Sequence, residues 1–140
     1  MSALQKSVIL CGSNKKIVCE LHVQLRYFNL IFSGVKTVEG RIAHEKYCLL
    51  QAGDRIRFFT KDTTQNPSTP VLRALEARVL SSEKFPTFTD MLGYYGLKHC
   101  LPGIKTLSEG LAIYHGFPGY EEEAKRLGVI GIEIRPESLP

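Results

Sequence analysis

Ser33-Gly34-Val35-Lys36-Thr37-Val38-Glu39-Gly40-Arg41 decides how the rest of the 140-residue chain is read. Two cations, Lys36 and Arg41, bracket one carboxylate, Glu39, and glycines flank Thr37–Glu39 at Gly34 and Gly40. Upstream, Tyr27–Phe32 is an apolar run with helical spacing at Phe28, Ile31 and Phe32. Gly34 is placed to end that helix, because glycine adopts the left-handed conformation at low cost. Thr37–Ile42 then predicts a short strand through its β-branched residues. Alternate residues of an extended chain share a face, so Glu39 and Arg41 point the same way, with Lys36 in the turn before them. The set suits an anionic or strongly polar ligand, bound by paired hydrogen bonds from the arginine and oriented by the carboxylate. The same spacing also occurs in exposed ion pairs, which contribute only ~0–1 kcal/mol. The flanking glycines and the downstream sequence favour a site.

Length and composition bound the rest. One domain is expected at this size, and an apolar content near half excludes a disordered chain. No apolar run reaches the ~20 residues of a membrane span. Ser7–Cys11 is too short for a secretory signal, so an intracellular, cytoplasmic or nuclear, location is expected. Cys11, Cys19, Cys48 and Cys100 form no Cys-x-x-Cys pair, and His22, His44, His99 and His115 are scattered. No metal site or cofactor is therefore expected, and buried reduced thiols are. The net charge of +4 permits nucleic-acid binding without requiring it. Arg26, Lys36, Arg41, Lys46, Arg55, Arg57 and Lys61 all fall in the first half.

Taken in order, residues 1–19 read as an N-terminal extension or hairpin, with strand-like runs at Ser7–Cys11 and Ile17–Val23 around a Gly12-Ser13-Asn14 turn. Glu20–Arg26 alternates as a half-buried strand whose polar face could flank the ligand site. His44–Leu50 predicts a helical turn and Arg55–Thr60 a strand with Ile56 and Phe58 inward. Lys61–Pro70 is a polar, proline-bearing loop. Val71–Ser82 favours a strand, with a helix left open by Leu72, Leu75 and Glu76. Thr87 is a candidate cap for a helix through Phe88, Met91 and Leu92. Leu97–Gly103 breaks structure, Thr106–Tyr114 restarts a helix, and Tyr120–Leu127 makes a short helix ending at Gly128. Glu121–Glu123 suit the first turn of that last helix, where negative charge is favoured. Val129–Ile134 is a closing strand, and 137–140 a tail. Strands at both ends with short helices between them predict an α+β domain over 20–136, built as a small mixed β-barrel with short flanking helices.

The pattern Gly34-x-Lys36-Thr37-x-Glu39-x-Arg41 resembles the signature of the ASCH domain (activating signal cointegrator homology), whose fold is similar to the PUA RNA-binding domain. The resemblance continues through Arg41-Ile42-Ala43-His44-Glu45-Lys46, Ala52-Gly53-Asp54-Arg55-Ile56-Arg57-Phe58, Tyr120–Glu123 and Gly128–Ile132, in the family's order. It implies a PUA-like barrel with a cleft lined by the signature.

The resemblance implies two functions as expectations. In the first, the domain binds single-stranded RNA or a nucleotide through Gly34, Lys36, Thr37, Glu39 and Arg41. Lys36 and Arg41 would meet phosphates or base edges, and Glu39 a base amino group or Arg41. Lys46, Arg26 and Arg57 would widen the basic footprint. In the second, suggested by a branch of ASCH-like amidohydrolases acting on acetylated cytidine, Lys36 and Glu39 would be acid–base groups, with Glu109 as a downstream carboxylate. That branch carries a threonine nucleophile where this chain has Glu39, and Thr37 would point elsewhere on an extended chain. A carboxylate so close to Lys36 should hold the lysine protonated, which disfavours a threonine mechanism.

Overall fold

The computed structural model describes residues 16–61 and 71–137. The expected hairpin strand at Ser7–Cys11, the loop over 62–70 and residues 138–140 of the tail lie outside the described residues.

Among the described residues there are five strands and six helices. They run β1 (Ile17–His22), α1 (Leu25–Phe32), β2 (Val38–Ile42), α2 (Glu45–Cys48), β3 (Arg55–Lys61) and β4 (Val71–Phe85). Then come α3 (Phe88–Tyr95), α4 (Leu97–Cys100), α5 (Leu107–His115), α6 (Tyr120–Leu127) and β5 (Val129–Pro136). The sheet order is β1-β3-β4-β5-β2, with β1 parallel to β3 and every other pair antiparallel. The sheet curls into a half-barrel whose edges are β1 and β2. The fold is α+β, as the element pattern predicts, and PUA-like, as the resemblance implies.

Strict alternation builds the inner face. On β3, Ile56, Phe58 and Thr60 are buried and Arg55, Arg57, Phe59 and Lys61 are not. Ala77, Val79, Ile132 and Ile134 continue that face on β4 and β5, and Phe28 and Ile31 of α1 are buried with it, while α3 lies on the opposite face, over Gly40 and Gly131. The outer end of α1 is fixed by Arg73 of β4, whose guanidinium lies 4.8 Å from the ring centre of Phe28 and donates to Asn29 Oδ1 at 2.7 Å.

Helix α3 docks through a notch made of two glycines. Gly40 of β2 and Gly131 of β5 are register partners. A Cβ on Gly40 would come within 2.7 Å of Met91 Cε, and one on Gly131 within 2.4 Å of Tyr95 Cε2. Met91 and Tyr95 are one helical turn apart, so one ridge of α3 lies across both missing side chains. The Tyr95 hydroxyl also donates to Gly131 O at 3.3 Å.

Three local expectations change, and at β4 the favoured strand reading holds. The first strand stops at His22 rather than reaching Arg26, because α1 opens at Leu25, earlier than its aromatic run suggests; Leu25 and Arg26 are helical. Leu97–Cys100 forms one helical turn instead of a break, entered through Gly96 at φ 93°. β4 is extended throughout and runs on to Phe85, so the helical alternative at Leu72–Glu76 is not taken. Of the three described cysteines only Cys100 is buried; Cys48 is exposed. The expected cap at Thr87 forms, accepting from the backbone N–H of Asp90, and Thr106 caps α5 in the same way from Glu109.

Gly131→Ala should push α3 off the sheet and cost about 1–3 kcal/mol. Urea unfolding of the variant against the parent measures this, and an unchanged midpoint would mean that α3 does not depend on the notch.

Candidate functional site

The two edges of the half-barrel approach without pairing, and a cleft of about 570 Å³ occupies the gap. Glu39 and Arg41 project into it from β2, Lys36 from the turn before β2, His22 from the end of β1 and Gln24 from the start of α1. Tyr27 of α1, Tyr114 of α5, Phe117 and Tyr120 supply aromatic walls.

Lys36 and Glu39 are buried, at 3% and 6% exposure. The Lys36 ammonium donates to Val38 O at 2.7 Å and to Cys100 O at the end of α4, and Glu39 Oε1 lies 3.6 Å away. Each of its three protons thus has an oxygen to point at. Glu39 Oε2 accepts from Arg41 Nε at 2.8 Å, and Arg41 Nη2 donates to His22 O at 2.9 Å. One chain of contacts therefore runs from α4 through Lys36, Glu39 and Arg41 to the opposite edge strand. Lys36 is spent inside this chain. Arg41 keeps donors for a ligand, because these two bonds leave N–H groups of its guanidinium over, with the Tyr120 hydroxyl beside them.

Burial pulls Lys36 below the ordinary lysine value, and Glu39 opposes that shift. Glu39 does favour the protonated lysine, as expected, but burial is the larger influence. Glu39 also lifts the already high value of Arg41 against burial. His22, at the rim, is pulled down by burial, Lys61 and Arg41, which favours the neutral imidazole.

The aromatic wall is layered. Phe88 and Tyr114 stack at 4.2 Å and 3°, and Phe88 and Tyr120 lie parallel at 6.0 Å. The Tyr114 hydroxyl is buried without a hydrogen-bond partner among the described residues, and burial pushes its pKa well up, so it stays protonated.

The structure gathers Lys36, Glu39 and Arg41 in this cleft and places the other candidates elsewhere. Gly34 and Thr37 line a second depression on the far side of the signature, where Thr37 Oγ1 lies 3.3 Å from His99 Nδ1. Lys46 is exposed on α2 with its ammonium 5.0 Å from the Tyr47 ring centre, and Arg26 is exposed on α1 over Tyr27. Arg57 faces outward on β3 and pairs with Glu20 at 3.4 Å. Glu109 is exposed in the first turn of α5. None of these four lines the cleft. Sequence reasoning missed Tyr114, Phe117 and Tyr120. Their available signal was aromatic residues on both sides of the Pro118-Gly119 break. No cluster of His, Cys, Asp and Glu among the described residues could hold a metal ion.

A family model described as the ASCH domain matches residues 21–138. The chain belongs to the ASCH domain family. Among solved structures this ASCH domain is similar to hypothetical protein PH0355, with 33% identity, a TM-score of 0.70 and coverage of 85% of this chain and 98% of that one. It is also similar to the solution structure of protein PF0455 from Pyrococcus furiosus, with 32% identity, a TM-score of 0.64 and coverage of 86% and 97%. An ASCH protein from Zymomonas mobilis, at 16% identity and a TM-score of 0.51 over 86% of this chain and 74% of that one, shares the fold. No curated protein matches the chain. Among the described residues no helix is long and apolar enough to cross a membrane.

Removing one member of a buried charged set leaves the other uncompensated, so Lys36→Met should cost about 3–5 kcal/mol. Lys36→Met with Glu39→Leu should recover much of that loss in thermal unfolding, and a double variant no more stable than the single would contradict the coupling.

Alkaline stability depends on Cys100, whose thiol burial pushes up to about 11 from 9.0, with Lys36 opposing. Between those values the folded chain holds a proton that the unfolded chain releases, so this contribution is complete below pH 9 and is lost as pH rises through 11. Lys36, shifted down, acts in the opposite sense over the range below its ordinary 10.5. Cys100→Ala should flatten the fall in thermal stability between pH 9 and 11; an identical profile would refute the assignment.

Proposed function

We propose that this ASCH domain binds a nucleotide unit of single-stranded RNA, or a free nucleotide, in the cleft between β1 and β2. The observation that carries the reading is one cleft holding both the Glu39–Arg41 pair and the rings of Tyr27, Phe117 and Tyr120. Arg41, positioned by Glu39 and His22 O, meets a phosphate or a base edge through its remaining donors. Aromatic walls suit an unstacked base, which single strands present and duplexes do not. Membership in a family that is generally nucleic-acid-binding supports the same partner class. Such a partner places the domain inside the cell, in the cytoplasm or nucleus, and the reading needs no metal or cofactor. Lys36 acts by fixing Glu39 rather than by touching the ligand, because its protons are engaged internally.

The hydrolase reading has one point in its favour, the burial that pulls Lys36 down toward the range of a general base. Against it, Thr37 faces the second depression and Glu109 stands exposed outside the cleft. We therefore expect acetate release from acetylated cytidine to stay at background.

The test is a salt titration with labelled oligonucleotides. Log affinity for single-stranded RNA should fall with log salt by ~0.7 per phosphate contacted, and Arg41→Gln should weaken binding and flatten that slope. Affinity for duplex DNA should be lower throughout. Binding of free nucleotides with no binding of RNA at low salt would move the reading to a small-molecule site, and robust acetate release would move it to the hydrolase.

A further inference from the structure

The outward face of the sheet carries three arginines in one row. Arg55 of β3 is the register partner of Arg78 of β4, and Arg78 is the partner of Arg135 of β5. Their strand neighbours Ile56, Ala77, Val79 and Ile134 are buried on the inner face, so all three guanidiniums project outward. Like charges directly opposite one another across strands destabilise a sheet. At Arg55 this is compensated by Glu76 at 3.2 Å and Glu137 at 3.0 Å. Arg78 and Arg135 are exposed and have no ion-pair or hydrogen-bond partner among the described residues. Glu133, two residues before Arg135 on the same face of β5, accepts from the Ser81 hydroxyl.

Arg135 also lines the second depression, of about 730 Å³, on the other side of the signature from the cleft. Its wall includes Tyr94, which is 66% exposed yet has its ring held by Tyr95, edge-on at 4.9 Å, and by Phe85 at 5.4 Å. A fixed, exposed aromatic ring in one depression with Arg135, whose register partner Arg78 continues the row, is the chemistry of a single-stranded nucleic-acid track, with bases on the ring and phosphates on the arginines.

We propose that Arg78 and Arg135 bind backbone phosphates of a single-stranded nucleic acid while Tyr94 stacks a base, forming a second contact region separate from the cleft. The proposal rests on the nucleic-acid reading of the domain. It gives Arg78 and Arg135 the anionic partners that the described residues do not pair with them.

The experiment uses the full chain, a single-stranded RNA 12-mer of mixed sequence and a nucleoside monophosphate. Arg78→Ala with Arg135→Ala should reduce the log–log salt slope for the 12-mer by about 1.4, at ~0.7 per lost contact. Binding of the monophosphate, which occupies the cleft alone, should be unchanged. The corresponding lysine pair should restore the slope. Tyr94→Ala should lower 12-mer affinity roughly fivefold or more with the slope intact. The glutamine pair, which keeps more of the side-chain stem, replaces the alanine pair if that loses stability. Wild-type RNA binding with an unchanged slope in the double variant overturns this proposal alone. Absence of any RNA binding by the wild type overturns it together with the nucleic-acid reading.

Discussion

A buried ammonium needs oxygens for its protons, and the site of this protein is arranged around meeting that need for Lys36. Val38 O, Cys100 O and Glu39 come from β2 and α4, elements joined by no sequence neighbourhood. Satisfying the lysine therefore fixes where α4 ends relative to β2. It also holds Glu39 with one oxygen toward Lys36 and the other toward Arg41. The arginine is then aimed across the gap to β1. A set that reads in sequence as two cations around an anion acts as a scaffold in which one cation is internal and the other faces the cleft.

The sheet topology provides the gap. With β1 and β2 at opposite ends of the order, curling brings two unpaired edges together, and an exposed pair of edges would be a liability. Here α1 and the aromatic wall cover the approach, and Arg41 bonded to His22 O ties one edge to the other through a side chain. The paired glycines at 40 and 131 let α3 sit close enough to carry Phe88, on which Tyr114 and Tyr120 are layered.

Much of this was legible in residue order. The period of two on β3, the helical period in α1, the Thr87 cap and the acidic first turn of α6 each act over a few residues, so local pattern suffices to find them. Lys36, Glu39 and Arg41 were recognisable because they are close in sequence and the strand geometry fixes their relative direction. Burial of Lys36 was not legible, since it depends on Cys100 sixty-four residues away. The contributions of Tyr114 and Tyr120 depend likewise on helix packing across the whole fold. Arg57 and Lys46 looked like site cations because charge alone carries no face; the first is turned outward by strand alternation and the second sits on α2. The arginine row was invisible for a related reason: Arg55, Arg78 and Arg135 meet only through register.

The edge strand β2 has one strand partner, β5, and the register joins Val38 to Glu133 and Ile42 to Val129. Ninety or so residues separate the two in the chain, so the loop that must close before the signature strand is held is nearly as long as the domain. During synthesis the signature residues Lys36, Glu39 and Arg41 leave the ribosome early and wait. β1, β3 and β4 pair with one another without β2, but Glu39 and Arg41 acquire a fixed direction only when the closing strand arrives. Ligand competence is thus acquired late, as a property of the completed domain, and a chain interrupted before β5 would carry the whole signature without a site.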